Sequence, residues 1–359
     1  MKRRLLAFGF WLLALLFSVG VEAAPFQERV LLYPSVDQHG DSLTLSGRIS
    51  VPEDQPAKGI ILVTHYTITA LDESPSVKMT GDAKYYQDEY VVIVPDFIGY
   101  GVTGDRVHPY LHGELTARNC VDMVLAAQPV LDSMALGLPL DSLYIVGFSQ
   151  GGATAVWTLK LLEEEYADRL HVIHCYAGGG PYDVAVTYDH TLKEGHIFMP
   201  SVIPMLVVGT DVAYDLHLNY ADFFTSPMQK AYRKYIANKQ YGVVPLFFKL
   251  TNHRVKHWLT KQARDKSDPE TWRLYQAFQR SSLVTDSVCP SWTPKAPLYV
   301  FHSTKDNVVT IECAEHFRRC YPDLPNITYD IQDYGSHMKS SYLFYRKVRE
   351  LLDASSLTH

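Results

Sequence analysis

The sequence predicts an α/β fold: a mostly parallel central sheet flanked by helices, with a helical insertion before the last strands. Short apolar runs rich in Val, Ile and Tyr alternate along the chain with helical patterns, as expected for strands covered on both faces of a sheet. The run at 143–148 also enters a Gly-x-Ser-x-Gly turn and passes directly into a helix-forming sequence. Strands joined through helices form parallel sheets with helices on both sides.

The first 23 residues are predicted to be a cleavable secretory signal that lies outside the fold. Basic residues at 2–4 precede an apolar stretch over 5–20, and 21–23 fit a small-x-small cleavage site. The stretch is shorter than the ~20 residues of a membrane span, although an uncleaved anchor is the alternative. We expect the mature chain to begin at Ala24, to be secreted or periplasmic, and to have no stable membrane span after cleavage.

Composition argues against several classes of partner. The chain has 33 Lys and Arg against 39 Asp and Glu, a formal net charge of −6. This acidity disfavours nucleic acid or an anionic membrane as the main partner. No CxxC, HExxH or similar spacing occurs, so neither a metal nor a cofactor is predicted. The oligomeric state has no signal in the sequence.

The elements are expected in the following order. An opening hairpin pairs 29–37 with 42–52 around a His-Gly-Asp turn. Further strands are predicted at 59–65, 90–95, 143–148, 171–176, 297–302 and 327–333. Helices are predicted at 114–135, 151–166, 311–320 and 338–352. The resulting division is a core of residues 24–183 and 294–359, with a helical cap or lid over 184–293 that covers the carboxyl edge of the sheet.

One segment of this insertion has two interpretations. The apolar run at 202–209 fits a buried helix, but it also fits another strand, which would place Asp211 at a strand end. Pro204 in the middle of the run disfavours a central strand.

The five cysteines permit disulfides in an oxidising compartment. Cys313 and Cys320 lie seven residues apart on a predicted helix, a rise of roughly 10 Å that exceeds disulfide reach. Cys289 with one of these two is the more plausible pair. Cys120 and Cys175 stand in apolar contexts and are expected to be buried thiols.

Ser149 is the candidate nucleophile. A serine hydroxyl needs to be presented free of the backbone, close to a base and to donors for an oxyanion. A sharp strand-to-helix turn presents the side chain in this way, and Gly147 and Gly151 flank it where a Cβ would clash. Gly152 adds a third small residue where the helix packs on the sheet.

The candidate base and acid lie near the end of the chain. His337 follows the last predicted strand and precedes the last helix, where a loop can carry it above the sheet. Asp306 stands in a polar loop after the strand 297–302, at the edge where catalytic groups collect in such sheets. Ser149, Asp306 and His337 therefore occur in the chain order serine, acid, histidine. This order is typical of triads whose serine lies on such a strand-to-helix turn. Asp211 is the less favoured acid. Asp330 and Asp333 also precede His337, but they lie within or near a strand predicted at the edge of the sheet.

The oxyanion donors are expected on two loops. One is the backbone N–H of Gln150, which follows the nucleophile. The other comes from the loop after the strand 59–65, where Thr67 is the better candidate and Tyr66 the next. His65 precedes the elbow in the chain and is expected to order this loop.

With these residues and the phrase ProAspPheIleGlyTyrGly at 95–101, the chain resembles α/β-hydrolases, and among them secreted lipases and esterases of the secretory lipase type. The resemblance covers most of residues 55–350. It implies a helical cap in the interval of the insertion and an acid before a valine pair, which corresponds to Asp306. Many relatives have His-Gly-Thr in the oxyanion loop, where this chain has Tyr66 in place of the glycine.

The favoured function is hydrolysis of a carboxylic ester, with a small-molecule ester or a lipid as substrate. Four phenylalanines of the insertion are expected either to form an acyl pocket or to fill the core of the cap: Phe223, Phe224, Phe247 and Phe248. A serine peptidase of the prolyl oligopeptidase-like branch uses the same triad and is the alternative. Such peptidases usually carry a large amino-terminal propeller, whereas only about 30 residues precede the first predicted strand here and no blade repeat is visible, which disfavours this hypothesis. The third hypothesis is a non-catalytic binding protein on a hydrolase scaffold.

Overall fold

The computed structural model describes residues 26–139 and 141–356; the predicted signal segment lies outside them. Within these ranges, eight strands form one sheet. They are β1 (Phe26–Val36), β2 (Ser42–Pro52), β3 (Ile60–Thr64), β4 (Val91–Pro95), β5 (Ser142–Phe148), β6 (His171–Gly178), β7 (Leu298–Ser303) and β8 (Ile327–Gln332). Every strand predicted for the core is present, with boundaries shifted by up to three residues.

The strand order is β1-β2-β4-β3-β5-β6-β7-β8. The hairpin β1–β2 is antiparallel, and β2 is antiparallel to β4. All of the remaining neighbours are parallel. This confirms the prediction of a mostly parallel sheet. The turn of the hairpin needs Gly40, whose φ of 81° is disfavoured for residues with a Cβ.

Helices cover both faces of the sheet. The core helices are α1 (Gly113–Ser133), α2 (Gln150–Glu165), α10 (Glu312–Cys320) and α11 (His337–Ser356). Side chains of α1, α2 and α10 pack with one set of strand residues, which includes Leu62 and Ile145. Side chains of α11 pack with the opposite set, which includes Val63 and Val146. The alternation follows from the two-residue period of a strand.

The interval 184–293 folds as helices and loops. Its helices are α3 (Val184–Glu194), α4 (Val202–Tyr214), α5 (Tyr220–Phe223), α6 (Ser226–Ala231), α7 (Val243–Lys249), α8 (Val255–Trp258) and α9 (Pro269–Ser281). Short 3₁₀ turns occur at Leu71–Glu73, Ala83–Tyr85, Gly101–Thr103 and Gln262–Arg264, and a π turn at Tyr232–Ile236. The buried side chains of this helical insertion form a hydrophobic cluster of their own.

The segment 202–209 is helical, so the alternative reading of it as a strand is wrong. Pro204 is the third residue of α4. At that position its missing N–H costs no intrahelical hydrogen bond, because the first turn of a helix has no internal acceptors.

The helical insertion contacts loops that follow several parallel strands. The Thr69 hydroxyl, after β3, donates to the Tyr241 carbonyl over 2.8 Å. After β6, the Leu283 N–H donates to the Tyr182 carbonyl over 2.9 Å. After β7, Thr310 Oγ1 lies 3.1 Å from His190 Nδ1. The insertion therefore lies against the carboxyl edge of the sheet, the side on which Ser149 is presented.

The cysteines separate into one disulfide and three buried thiols. Cys289 is bonded to Cys320, one of the two pairings left open by the sequence. Cys120, Cys175 and Cys313 are free and buried. Within the described ranges, no helix combines the length and the apolar character that a membrane crossing requires.

Candidate active site

Ser149 lies on the turn between β5 and α2. Its φ of 60° and ψ of −124° are unusual for a residue with a side chain, and such strained conformations concentrate at functional sites. Its N–H donates to the Gly178 carbonyl over 2.8 Å. The turn is thereby fixed to the neighbouring strand, and the hydroxyl is left partly exposed above the sheet.

Steric overlap explains why glycine occupies three positions around Ser149. A Cβ on Gly147 would overlap the Gly151 carbonyl and Thr64 Oγ1, and a Cβ on Gly151 would overlap the Thr64 carbonyl. A Cβ on Gly152 would overlap the Gly178 carbonyl. All three positions bring two backbones too close for a side chain, as expected for a tight strand-to-helix turn.

His337 is the first residue of α11 and is 4% exposed. Its Nε2 lies 2.9 Å from Ser149 Oγ, and its Nδ1 lies 2.6 Å from Asp306 Oδ2. Because an ionised carboxylate only accepts hydrogen bonds, Nδ1 carries the proton and Nε2 presents a lone pair to the serine hydroxyl. The ring also packs against Phe148, with 4.9 Å between ring centroids.

Asp306 is fixed through both of its oxygens. Oδ1 accepts the N–H groups of Val308 and Val309, each over 2.9 Å, and Oδ2 accepts from His337. Burial of this carboxyl raises its pKa, but the charge of His337 and the hydrogen bonds outweigh burial, and the pKa lies below its ordinary value. The residue is therefore held as a carboxylate aimed at Nδ1.

Two residues that the sequence reasoning missed support this arrangement. Asn307 Oδ1 accepts the His337 N–H over 3.2 Å. His302, buried on β7, has Nε2 3.1 Å from the Val309 carbonyl. Neither has a sequence signal beyond its place beside Asp306.

The two loops expected to supply oxyanion donors both reach the elbow. Gln150 begins α2, so its N–H has no acceptor within the helix. The Tyr66 N–H donates to Asp82 Oδ2 over 3.1 Å and is therefore already engaged. Thr67 is buried, and its Oγ1 is 2.8 Å from the Tyr110 hydroxyl. The geometry favours Thr67 over Tyr66.

The alternative acids lie elsewhere. Asp211 is in α4, where it accepts from the Leu218 N–H and the Tyr220 hydroxyl. Asp330, on β8, accepts from Tyr334. Both carboxylates are engaged in structural hydrogen bonds.

A cavity of about 380 Å³ adjoins the acid loop. Asp306, Asn307 and Val308 form its core side. The helical insertion supplies an apolar part of the wall, formed by Ile197, Phe198, Met199, Val202, Ile203 and Leu206, and a polar part, formed by Thr187, Tyr188, His190, Thr191, Glu194 and His196. Phe198 packs on Phe247, with 5.2 Å between ring centroids.

Three other phenylalanines of the insertion differ in their burial. Phe223 and Phe224 are 1% exposed and lie in the hydrophobic cluster of the insertion, so they are core residues. Phe248 is 54% exposed.

Solved structures with the same fold support this reading of the architecture. A putative hydrolase from Legionella pneumophila is 18% identical, with a TM-score of 0.78 over 92% of this chain and 88% of that one. The rice cell wall degrading esterase LipA from Xanthomonas oryzae is 19% identical, with a TM-score of 0.75 over 92% and 90%. Candida antarctica lipase A in its closed state is 17% identical, with a TM-score of 0.65 over 88% and 74%.

No curated protein is similar enough in sequence to count as a match. The family model described as secretory lipase matches residues 78–343. This range contains the strand-to-helix turn, the helical insertion and the two loops that carry Asp306 and His337. It supports hydrolysis of esters as the activity, and the protein belongs to the secretory lipase family.

Proposed function

We propose that this protein is a secreted serine hydrolase that cleaves carboxylic esters through Ser149, His337 and Asp306. The observation that carries the proposal is the continuous contact from Ser149 Oγ to His337 Nε2 over 2.9 Å and from His337 Nδ1 to Asp306 Oδ2 over 2.6 Å. Base and nucleophile lie within the distance that proton transfer requires.

The reaction proceeds through an acyl-enzyme. His337 takes the hydroxyl proton as Ser149 Oγ attacks the acyl carbon, and Asp306 stabilises the imidazolium that forms. The backbone N–H groups of Gln150 and Thr67 stabilise the oxyanion, each worth roughly 10²–10³ in rate. His337 then protonates the leaving alcohol, and an activated water releases the acid and restores Ser149.

The cavity beside the acid loop is the candidate site for part of the substrate. Its volume of about 380 Å³ lies within the range for small ligands. The apolar part of the wall suits an acyl chain or an aromatic acyl group, and polar side chains such as Thr187 and Thr191 line the same cavity.

The test is labelling of the purified protein with a fluorophosphonate probe, followed by a panel of p-nitrophenyl esters of rising acyl length. We expect labelling that disappears in Ser149→Ala and ester hydrolysis that falls by several orders of magnitude in His337→Ala. Cleavage of a dipeptidyl anilide without any ester hydrolysis would instead establish the peptidase. Absence of both labelling and ester hydrolysis in the wild type would instead favour the non-catalytic binding protein.

Export is the second part of the proposal. The family description and the Cys289–Cys320 bond both support an oxidising, extracytoplasmic destination. Amino-terminal sequencing of the exported protein is expected to start at Ala24. A chain that retains residues 1–23 and stays with the membrane fraction contradicts cleavage.

A further inference from the structure

We propose that His108 is a positioning residue of the oxyanion hole, acting through the side chain of Gln150. This inference rests on the proposed function, because it assumes that the Gln150 N–H faces the developing oxyanion. It assigns a role to a buried histidine that is separated from Gln150 by 42 residues and belongs to neither the nucleophile turn nor the triad.

The hydrogen bonds of His108 determine its tautomer. Its Nδ1 lies 2.7 Å from the Ile98 carbonyl, which only accepts, so Nδ1 carries the proton. Its Nε2 lies 2.7 Å from Gln150 Nε2 and therefore accepts an amide N–H from Gln150. The ring is a neutral acceptor with both nitrogens satisfied.

The surroundings keep this ring neutral. Burial lowers the pKa of His108 to about 3, and the nearby His65 and Lys239 oppose its protonation further. A protonated ring would carry a hydrogen on Nε2 and would repel the amide N–H. His108 therefore accepts from Gln150 throughout the pH range in which a histidine base operates.

The side chain of Gln150 is buried at the start of a helix. This residue begins α2, and the strained Ser149 precedes it. Its side chain is 2% exposed, so an amide without a partner would be left in a dry environment. The bond to His108 fixes the side chain against the loop after β4. The bond thereby restrains the first residue of the helix, whose N–H is the proposed oxyanion donor.

The same loop reaches the second proposed donor. Phe97 stacks on His65, with 4.0 Å between ring centroids and 22° between planes, and its plane lies within 12° of His108 at 6.1 Å. His65 Nδ1 donates to the Tyr66 carbonyl over 2.7 Å. That carbonyl belongs to the peptide whose N–H is that of Thr67. The side chains of His65, Phe97 and His108 thus connect the two peptides that face the oxyanion.

Gly99 allows the backbone of this loop to pass close to the backbone of His108. Its φ is 92°, and a Cβ at this position would contact the backbone of His108 at 2.7 Å from the amide nitrogen. His108 therefore reaches the elbow from a loop whose path depends on a glycine.

The experiment compares His108→Phe, Gln150→Met and the double variant in the full mature protein. Met keeps the length of Gln150 and leaves His108 in place, so it carries the test if His108→Phe does not fold. We expect kcat to fall by about 10- to 100-fold in each single variant, less than the loss of a whole donor. KM is expected to stay within about threefold, because the oxyanion forms only in the transition state. The double variant is expected to match the single variants, because the two residues act as a unit.

A trifluoromethyl ketone distinguishes positioning from a general structural effect. It forms a tetrahedral adduct with an active-site serine, so its inhibition constant is expected to rise by the same factor as kcat/KM falls. His112→Phe is the matched control. His112 caps α1 by accepting the Leu115 N–H, and we expect its loss to lower stability and leave kcat within about twofold.

Three outcomes overturn the inference. These are a kcat for Gln150→Met within threefold of the wild type, losses that multiply in the double variant, and an unchanged inhibition constant. Failure of the proposed function is separate, because it is read from the wild type alone: absence of both fluorophosphonate labelling and ester hydrolysis.

Discussion

The Asp183 carboxylate and the His316 imidazole form a buried pair at the base of the helical insertion, with 2.8 Å between Oδ2 and Nδ1. Asp183 also caps α3 by accepting the Val186 N–H, and its backbone carbonyl accepts from Cys313. His316 and Cys313 both belong to α10. This helix therefore anchors Asp183, which lies where the chain leaves β6 and enters the helical insertion. The chain returns beside it, where the Val184 N–H donates to Ser282 Oγ.

Two substitutions of Asp183 separate its roles. Asp183→Asn keeps an oxygen for the helix cap and a polar partner for His316, and we expect it to cost about 1 kcal/mol of unfolding free energy or less. Asp183→Ala loses both contacts and leaves Nδ1 of the buried His316 without its partner, with an expected cost of about 2–4 kcal/mol. Urea unfolding at pH 7 measures both. Equal costs for the two variants would contradict the separate roles.

The Cys289–Cys320 bond ties the returning segment to the end of α10 across 31 residues of chain. By the loop-entropy relation, its removal is expected to cost about 3–4 kcal/mol. Thermal unfolding of the wild type with and without dithiothreitol measures the effect. The Cys289→Ser, Cys320→Ser double variant is the control and is expected to show no further change on reduction. An unchanged thermal midpoint in the reduced wild type would refute a stabilising contribution of the disulfide.

Asp306→Asn is expected to lower kcat by about 10⁴-fold with little loss of stability. The amide retains an acceptor for Val308 and Val309, but a donor in place of Oδ2 favours the wrong tautomer of His337. Asp211→Asn and Asp330→Asn are the controls, and both are expected to hydrolyse the preferred ester at rates within about threefold of the wild type. A larger loss in either control would reassign the acid.

The pH dependence of stability is expected to report His108. Its pKa is lowered by burial to about 3 in the folded protein, against ~6.5 in an unfolded chain. Between these values the ring binds a proton in the unfolded state but not in the folded state. The contribution of His108 to the unfolding free energy is therefore complete above about pH 6.5. It is lost as the pH falls toward 3.

His108→Phe removes this contribution. We expect its unfolding free energy to depend less steeply on pH, by at most ~1.4 kcal/mol per pH unit within that window. Urea midpoints from pH 7 to pH 4 measure the two slopes. Parallel curves for the wild type and the variant would argue against a neutral buried ring.

Lys239 joins the helical insertion to the loop that carries His108. Its ammonium donates to the carbonyls of Gly99, Gly104 and Arg106. Lys239→Met leaves these carbonyls without that donor, and we expect faster limited proteolysis of the segment around 232–242 and about 1–3 kcal/mol of lost stability. Lys266→Met is the control, because Lys266 pairs with Asp189 at a more exposed site. Cleavage at the same rate in both variants would contradict a role for the carbonyl contacts.

The elements were predictable because their signals are local. The Val- and Ile-rich runs of β3 and β4 are completely buried strands, as their continuous apolar character indicates. The glycines at 147 and 151 predicted a tight turn, because a Cβ at either position would overlap atoms of the adjoining backbone. Boundaries differ by a few residues because helix and strand ends depend on packing as well as on propensity.

The contacts between distant residues could not be predicted from local sequence signals. Fifteen histidines offered no local feature that marks His108 as a partner of Gln150. Tyr66 and Thr67 are adjacent in sequence, and only the position of Asp82 distinguishes their N–H groups. The partner of Cys289 likewise depended on where the returning segment meets α10.

The sequence by itself determined the order of strands and helices, the strained turn at Ser149 and the chain order in which Asp306 and His337 follow it. These depend on periodicity and on backbone sterics within a few residues. Only the tertiary structure decided that His337 lies between Ser149 and Asp306, that the chosen disulfide is Cys289–Cys320 and that His108 supports Gln150. The physical reason is that Ser149 and His337 are 188 residues apart. A hydrogen bond over that separation forms only because parallel crossovers place the carboxyl ends of several strands at one edge of the sheet.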